Sequence, residues 1–172
     1  MANQDFFSYG TPGGPPGAPP APPPAAKAPL RDRDGDGIED PQRAILAELS
    51  DEDWERFIGF AARRRYPAGA SIVRRGDAGV PLGFVASGAV QVQGAAGAPA
   101  RREEGEVFGI LGFLDGKASE VDISAQGATE VLLLGREALV QLAAWQPRIA
   151  LALLRDLGAI VATRLRRLQP AD

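Results

Sequence analysis

A chain of 172 residues is long enough for one domain of ordinary size and a tail. The chain contains neither cysteine nor histidine, which excludes disulfides, thiol catalysis and thiolate metal sites and removes the commonest general base, so we expect no enzyme. The net charge of −3 arises within residues 31–41 and the rest of the chain is neutral, so the broad positive field that favours nucleic acid is missing and we expect no nucleic-acid partner.

The sequence also predicts where the protein resides. It has no run of about 18 apolar residues, so we expect no membrane contact. Its N-terminus, MANQDFFSYG, lacks the basic start and the apolar core of a signal peptide. We therefore expect a cytoplasmic protein, and the excess of arginine over lysine together with abundant alanine, glycine and proline indicates a bacterial source.

Residues 1–10 form an aromatic N-terminal peptide with Phe6, Phe7 and Tyr9 close together. Residues 11–31 are a Pro/Gly/Ala-rich linker, which we expect to be disordered and extended because proline removes backbone donors and favours polyproline II. The aromatic side chains are either an incidental terminus or a docking motif for a protein partner or large assembly, with the linker supplying reach.

Residues 32–43, DRDGDGIEDPQR, form an acidic loop. A calcium ion requires several oxygen ligands from a short loop, and this spacing resembles the calcium loops of EF-hands and, more closely, of thrombospondin type 3 repeats. The candidate ligands are Asp32, Asp34, Asp36, Ile38 through its carbonyl, and Asp40. Arg43 stands where a closing acid is expected, so we predict weak calcium binding at most, and the alternative is a solvated acidic turn that caps the next helix. No other cofactor is expected.

A compact domain follows over residues 42–168. Apolar spacing in PQRAILAELS predicts one helix, and a capping box of Ser50 and Asp53 predicts a second with Trp54 and Phe57 facing inward. After Pro67, short alternating stretches separated by glycine predict a β-sandwich or jelly roll. Two helices, over residues 136–145 and 147–168, complete an α+β fold.

The last predicted helix has an apolar stripe, which either packs against the domain or joins two chains in a homodimer. Its residues are Ile149, Leu153, Leu157, Ile160, Val161, Leu165 and Leu168. Two arginine runs, Arg63–Arg65 and Arg164–Arg167, are interpreted as solvated helix faces rather than phosphate-binding patches.

The order of these parts resembles the cyclic nucleotide-binding domain family. Framework glycines of that family have counterparts at Gly76, Gly88, Gly105 and Gly109. The resemblance implies N-terminal helices, an eight-stranded jelly roll that holds a short phosphate-binding helix, and two C-terminal helices.

The ligand cassette, residues 108–120, departs from the family pattern. In the family it reads approximately Phe-Gly-Glu, an apolar turn, then Pro-Arg-Ser/Ala; the glutamate accepts from the ribose hydroxyl and the arginine neutralises the cyclic phosphate. Here Ile110 stands at the glutamate, Ser119 at the arginine, and Glu120 follows. The resemblance therefore implies a degenerate site whose vestigial residues are Phe108, Gly109, Ile110, Leu111, Lys117, Ser119 and Glu120.

The apolar residues of the cassette leave two alternatives. Ile110, Leu111, Phe113 and Leu114 either fill the vacated pocket as core or line a site for an apolar or peptide ligand. The sequence favours a non-catalytic assembly module tethered to a larger complex through residues 1–31. The alternative is a small-molecule sensor that signals through its C-terminal helices, and we expect no DNA-reading helix-turn-helix after Leu168.

Overall fold

The computed structural model describes residues 45–169. The elements in chain order are α1 (Asp51–Ile58), β1 (Ala62–Tyr66), β2 (Ser71–Val73), β3 (Leu82–Ser87), β4 (Ala89–Gln93), β5 (Ala100–Glu103), β6 (Val107–Phe108), α2 (Ile110–Asp115), β7 (Asp122–Ala125), β8 (Thr129–Leu134), α3 (Arg136–Trp145) and α4 (Pro147–Leu168). The predicted β-sandwich is confirmed, and the two closing helices have the bounds that the sequence predicts.

The eight strands form two antiparallel sheets of four strands each. One sheet has the order β1-β8-β3-β6 and the other has the order β2-β7-β4-β5. Since successive side chains of a strand point to opposite faces, β3 and β8 each contribute side chains to two separate cores. Leu82 and Phe84 of β3 pack against the helices, whereas Val85 faces the interior of the sandwich.

The helical core lies between the first sheet and helices α1, α3 and α4. Phe57 of α1 is fully buried and its ring makes an edge contact with Phe84, with 5.2 Å between the ring centroids. The interior of the sandwich is a second cluster built largely from valines and completed by Phe108. At Gly83 a Cβ atom would lie 2.0 Å from the Phe108 ring, so this strand position has room for glycine alone.

The interpretation of Arg63–Arg65 as a helix face is wrong. These residues lie in β1, which pairs with β8 along the first sheet. Arg63 and Arg65 are two positions apart and share one strand face, where both form ion pairs with Glu130 at 3.1 and 2.7 Å. An acidic partner on the neighbouring strand thus stabilises a strand that lacks apolar alternation.

The first predicted helix is wrong where the structure describes it, since residues 45–48 form a turn. Leu46 has a φ of 56°, which a right-handed helix does not permit. The Leu46 amide donates to the Asp156 carboxylate of α4 at 2.8 Å instead of to a helical carbonyl. The second predicted helix, α1, is confirmed together with its cap, because the Ser50 hydroxyl accepts from the Asp53 amide at 3.1 Å.

The apolar stripe of α4 divides into two parts. Ile149, Leu153, Leu157 and Ile160 are buried in the helical core. Leu165 and Leu168, which extend the same predicted stripe, are exposed. The first part therefore packs against the domain, and a homodimer through α4 requires other residues. No helix within residues 45–169 has the length and apolar character needed to cross a membrane.

Candidate functional site

The cassette begins where β6 meets α2, and two glycines hold it close to the start of β3. Gly109 precedes α2 with a φ of 77°, and a Cβ atom there would lie 2.4 Å from the Pro81 carbonyl oxygen. A Cβ atom on Gly112 would lie 3.1 Å from that of Val80. This close approach fixes α2 against the sandwich and determines which of its side chains point away from the core.

A cavity of about 300 Å³ lies beside the cassette, and we call it the cassette cavity. Strands β4 and β5, the segment from β6 to β7, and helix α4 contribute to its wall. The lining residues are Val80, Val92, Arg102, Val107, Phe108, Gly109, Leu111, Gly112, Asp115, Lys117, Ala118, Ser119, Glu120, Val121 and Arg164.

The structure brings most of the predicted cassette residues together around this cavity. Phe108, Gly109 and Leu111 line it on the α2 side, and Lys117, Ser119 and Glu120 line it from the loop before β7. Ile110 is absent from the lining. It is buried in the helical core, as is Phe113, while Leu111 is 60% exposed. The apolar cassette thus has two faces, one within the core and one at the cavity.

Ser119 is held by hydrogen bonds of both its side chain and its backbone. Its hydroxyl donates to the Val121 carbonyl at 2.7 Å, and the Val121 amide donates back to that hydroxyl at 3.3 Å. Its backbone is joined to the turn after β2, since its amide donates to the Asp77 carbonyl and its carbonyl accepts from the Gly76 amide. Ser119 therefore shapes the loop and carries no positive charge for a phosphate.

Sequence reasoning missed two arginines of the cavity wall, Arg102 and Arg164. Arg102 belongs to β5, a strand absent from the predicted stretches. In β5 the side chains alternate, because Arg101 and Glu103 are exposed and Arg102 is partly buried. A strand predicted over these residues would therefore have indicated that Arg102 points to the inner face. The interpretation of Arg164 as part of a solvated helix face is wrong, because α4 places it at the cavity.

The other predicted site residues lie outside the described residues. These are the docking candidates Phe6, Phe7 and Tyr9 and the calcium ligand candidates Asp32, Asp34, Asp36, Ile38 and Asp40. Within residues 45–169, no group of three or more acidic residues is arranged to hold a metal ion.

Known proteins resemble this chain over most of residues 45–169. The family model of the cyclic nucleotide-binding domain matches residues 63–144. The cyclic AMP receptor protein of Thermus thermophilus is 33% identical over 123 residues, which are 69% of this chain and 55% of that protein. Glutaminase 2 of Bradyrhizobium diazoefficiens is 29% identical over 72% of this chain but only 20% of its own length. The chain thus spans about half, or less, of the length of these curated relatives.

Solved structures agree with the sequence comparison. The catabolite activator protein of Thermus thermophilus superposes with a TM-score of 0.62 at 31% identity and covers 72% of this chain and 58% of its own. A cyclic nucleotide-binding domain from Methylobacillus flagellatus superposes with a TM-score of 0.63 at 23% identity, covering 69% of this chain and 70% of its own, which supports the fold alone. The described part of the chain therefore has the fold of a cyclic nucleotide-binding domain, and residues 63–144 carry the sequence pattern of that family.

Proposed function

We propose that this chain is a non-catalytic regulatory domain that senses a small molecule in the cassette cavity, and that its ligand is not held by the family's cyclic-phosphate contacts. The observation that carries the proposal is the cavity of about 300 Å³ whose wall includes Ser119 and Glu120, the residues that the resemblance aligns with the family's phosphate contacts. A ligand site needs an apolar wall with a few polar groups, and this wall has both.

The side chains of the cavity wall support a ligand with an apolar body. Val80, Val92 and Val121 provide aliphatic surface, and Leu111 would lose exposed area on contact with a ligand. Burial of such surface contributes roughly 25 cal/mol per Å² removed from water. Phe108 adds an aromatic side chain to the same wall.

Fragment screening with a filled-cavity variant tests the sensor function. Val92 is partly buried and lines the cavity, so Val92→Trp is expected to occupy part of it and to abolish the binding of fragments that wild type binds. Ligand-observed NMR on the full chain measures this loss. The matched control is Val140→Trp, which places the same side chain on the exposed side of α3 outside the cavity and is expected to leave binding intact. A set of fragments that binds both variants equally would contradict the proposal.

A second function, assembly through α4, is favoured by a separate observation. Leu151, Leu154 and Leu165 are exposed, although each is a large apolar side chain. Together with Val161 and Leu168 they recur at intervals of three, four or seven residues, as in the seam of a coiled coil. This series is exposed except for Val161, which is partly buried and packs against the helical core. We call it the outer stripe, and it supports pairing with the same helix of a second copy.

The aromatic peptide of residues 1–10 extends the assembly proposal to a larger complex. An aromatic anchor buried at the centre of an interface typically contributes about 2 kcal/mol or more, so Phe6→Ala with Phe7→Ala is expected to abolish recruitment to the native partner. The melting temperature of the domain is expected to be unchanged. Affinity purification of wild type and the double variant measures recruitment, and a variant that retains every wild-type partner would show that these aromatics are not a docking motif.

A further inference from the structure

We infer that the ligand of the cassette cavity is a small organic anion with an apolar body, and that its anionic group binds to Arg102 and Arg164 rather than at the cassette loop. The inference rests on the proposed sensor function. It concerns the chemical class of the ligand and its orientation within the cavity.

The charged residues of the wall come from different elements. Arg102 reaches the cavity from β5 and Arg164 reaches it from α4, whereas Asp115 ends α2 and Lys117 and Glu120 belong to the loop between α2 and β7. The end of α2 and the loop after it thus contribute two acids and one base, and the other elements contribute two arginines. An anion is attracted to the arginines and repelled by the loop acids.

The sheet register places Arg102 away from the loop. Val90 of β4 is paired with Arg102 on one side and with Ala125 of β7 on the other, and Asp122 is paired three positions further along β4. Two strand spacings and three residue steps separate Arg102 from Asp122 by roughly 14 Å between Cα atoms. Glu120 lies two residues before Asp122, so the backbone of Arg102 is well separated from that of Glu120.

Arg102 has the donors for this role. Its Nη1 donates to the Arg101 carbonyl at 3.1 Å, and a guanidinium carries five N–H groups. Its neighbours on β5 differ, because Arg101 points outward and forms an exposed ion pair with Glu103 at 3.2 Å. A planar guanidinium recognises a carboxylate through two parallel hydrogen bonds, which lysine does not provide. The cavity volume lies at the lower end for ligand sites, which favours a small ligand.

A pair of probes that differ only in charge tests the inference by calorimetry on the full chain. Indole-3-acetate is expected to bind about tenfold more tightly than indole-3-acetamide, which has the same shape without the charge. Arg102→Gln and Arg164→Gln are each expected to weaken indole-3-acetate to the level of the amide and to leave the amide unchanged. Arg101→Gln is the matched control on β5 and is expected to leave both probes unchanged, and Arg164→Lys is expected to retain part of the charge preference. Unchanged thermal melting establishes that each variant is folded.

Several outcomes would contradict this inference and leave the proposed sensor function intact. If the amide binds as tightly as the carboxylate, the charge is not recognised. The same conclusion follows if fragments bind in the cavity and indole-3-acetate does not. If both Arg102→Gln and Arg164→Gln still bind the carboxylate more tightly than the amide, the anionic group binds elsewhere. Failure of the sensor function itself has a different signature, since in that case no fragment responds to Val92→Trp.

Discussion

Cyclic AMP and cyclic GMP are expected to bind this chain at least about a thousandfold more weakly than a domain with the complete family cassette. Hydrogen bonds to charged groups contribute about 1.5–3 kcal/mol each, and every 1.4 kcal/mol is tenfold in affinity. Ser119 offers no positive charge, Glu120 repels a phosphate, and Ile110 is buried in the core where no ribose hydroxyl reaches it. Calorimetry at millimolar nucleotide measures the affinity, and a dissociation constant below about 10 μM would contradict the prediction.

Restoring the phosphate contact is expected to recover part of this affinity. Ser119→Arg combined with Glu120→Ser supplies the cation and removes the repelling acid, so cyclic AMP is expected to bind about 10- to 100-fold more tightly than to wild type. Ser119→Arg alone, with Glu120 retained, is the control and is expected to gain less. Because Ser119 shapes its loop through Val121, thermal melting of both variants must accompany the titration. A double variant that melts like wild type and gains nothing would show that this position no longer faces the ligand.

The second large effect is expected in the oligomeric state. Light scattering at about 100 μM is expected to give twice the chain mass of 18.0 kDa, because the outer stripe can be buried between two copies of α4. Leu154→Glu with Leu165→Glu places charges in the stripe and is expected to give the mass of one chain with the domain still folded. Ala159→Glu is the matched control. It adds the same charge at an exposed position of α4 about 120° around the helix from Leu165 of the outer stripe, and we expect the dimer to persist.

A monomeric mass for wild type at that concentration would refute pairing through α4. The prediction is specific to the outer stripe, since Leu153 and Leu157 point into the helical core and their replacement would unfold the domain rather than separate two chains. Circular dichroism of the charged variant distinguishes these two effects.

The sequence predicted the sandwich and the closing helices because their apolar residues repeat with the period of the element that they form. It failed at β1, where three arginines take the place of apolar alternation and the stabilising partner, Glu130, is distant in sequence. It failed at residues 45–48 for a related reason, since Ile45 and Leu46 are buried but reach the core from a turn. Burial alone does not determine backbone conformation.

The candidate site was predicted in part. Phe108, Gly109 and the loop residues are neighbours in sequence, so the resemblance located them as a group. The sequence does not indicate that the Ile110 side chain points into the core, because α2 has six residues and is too short to show a helical period. Arg102 and Arg164 come from elements far apart in the chain, and only the tertiary structure brings both to one cavity.

Consecutive residues of α4 belong to two different surfaces, because Arg164 borders the cassette cavity and Leu165 is more than half exposed on the outer stripe. The proposed ligand site and the proposed dimer interface therefore share helix α4, and thermodynamic linkage requires any coupling between them to be reciprocal. The factor by which a bound anion changes the dimerisation constant equals the factor by which dimerisation changes the affinity for that anion. An apparent ligand affinity measured on this chain consequently has to be stated with the protein concentration at which it was obtained, and titrations at two concentrations yield the coupling free energy directly.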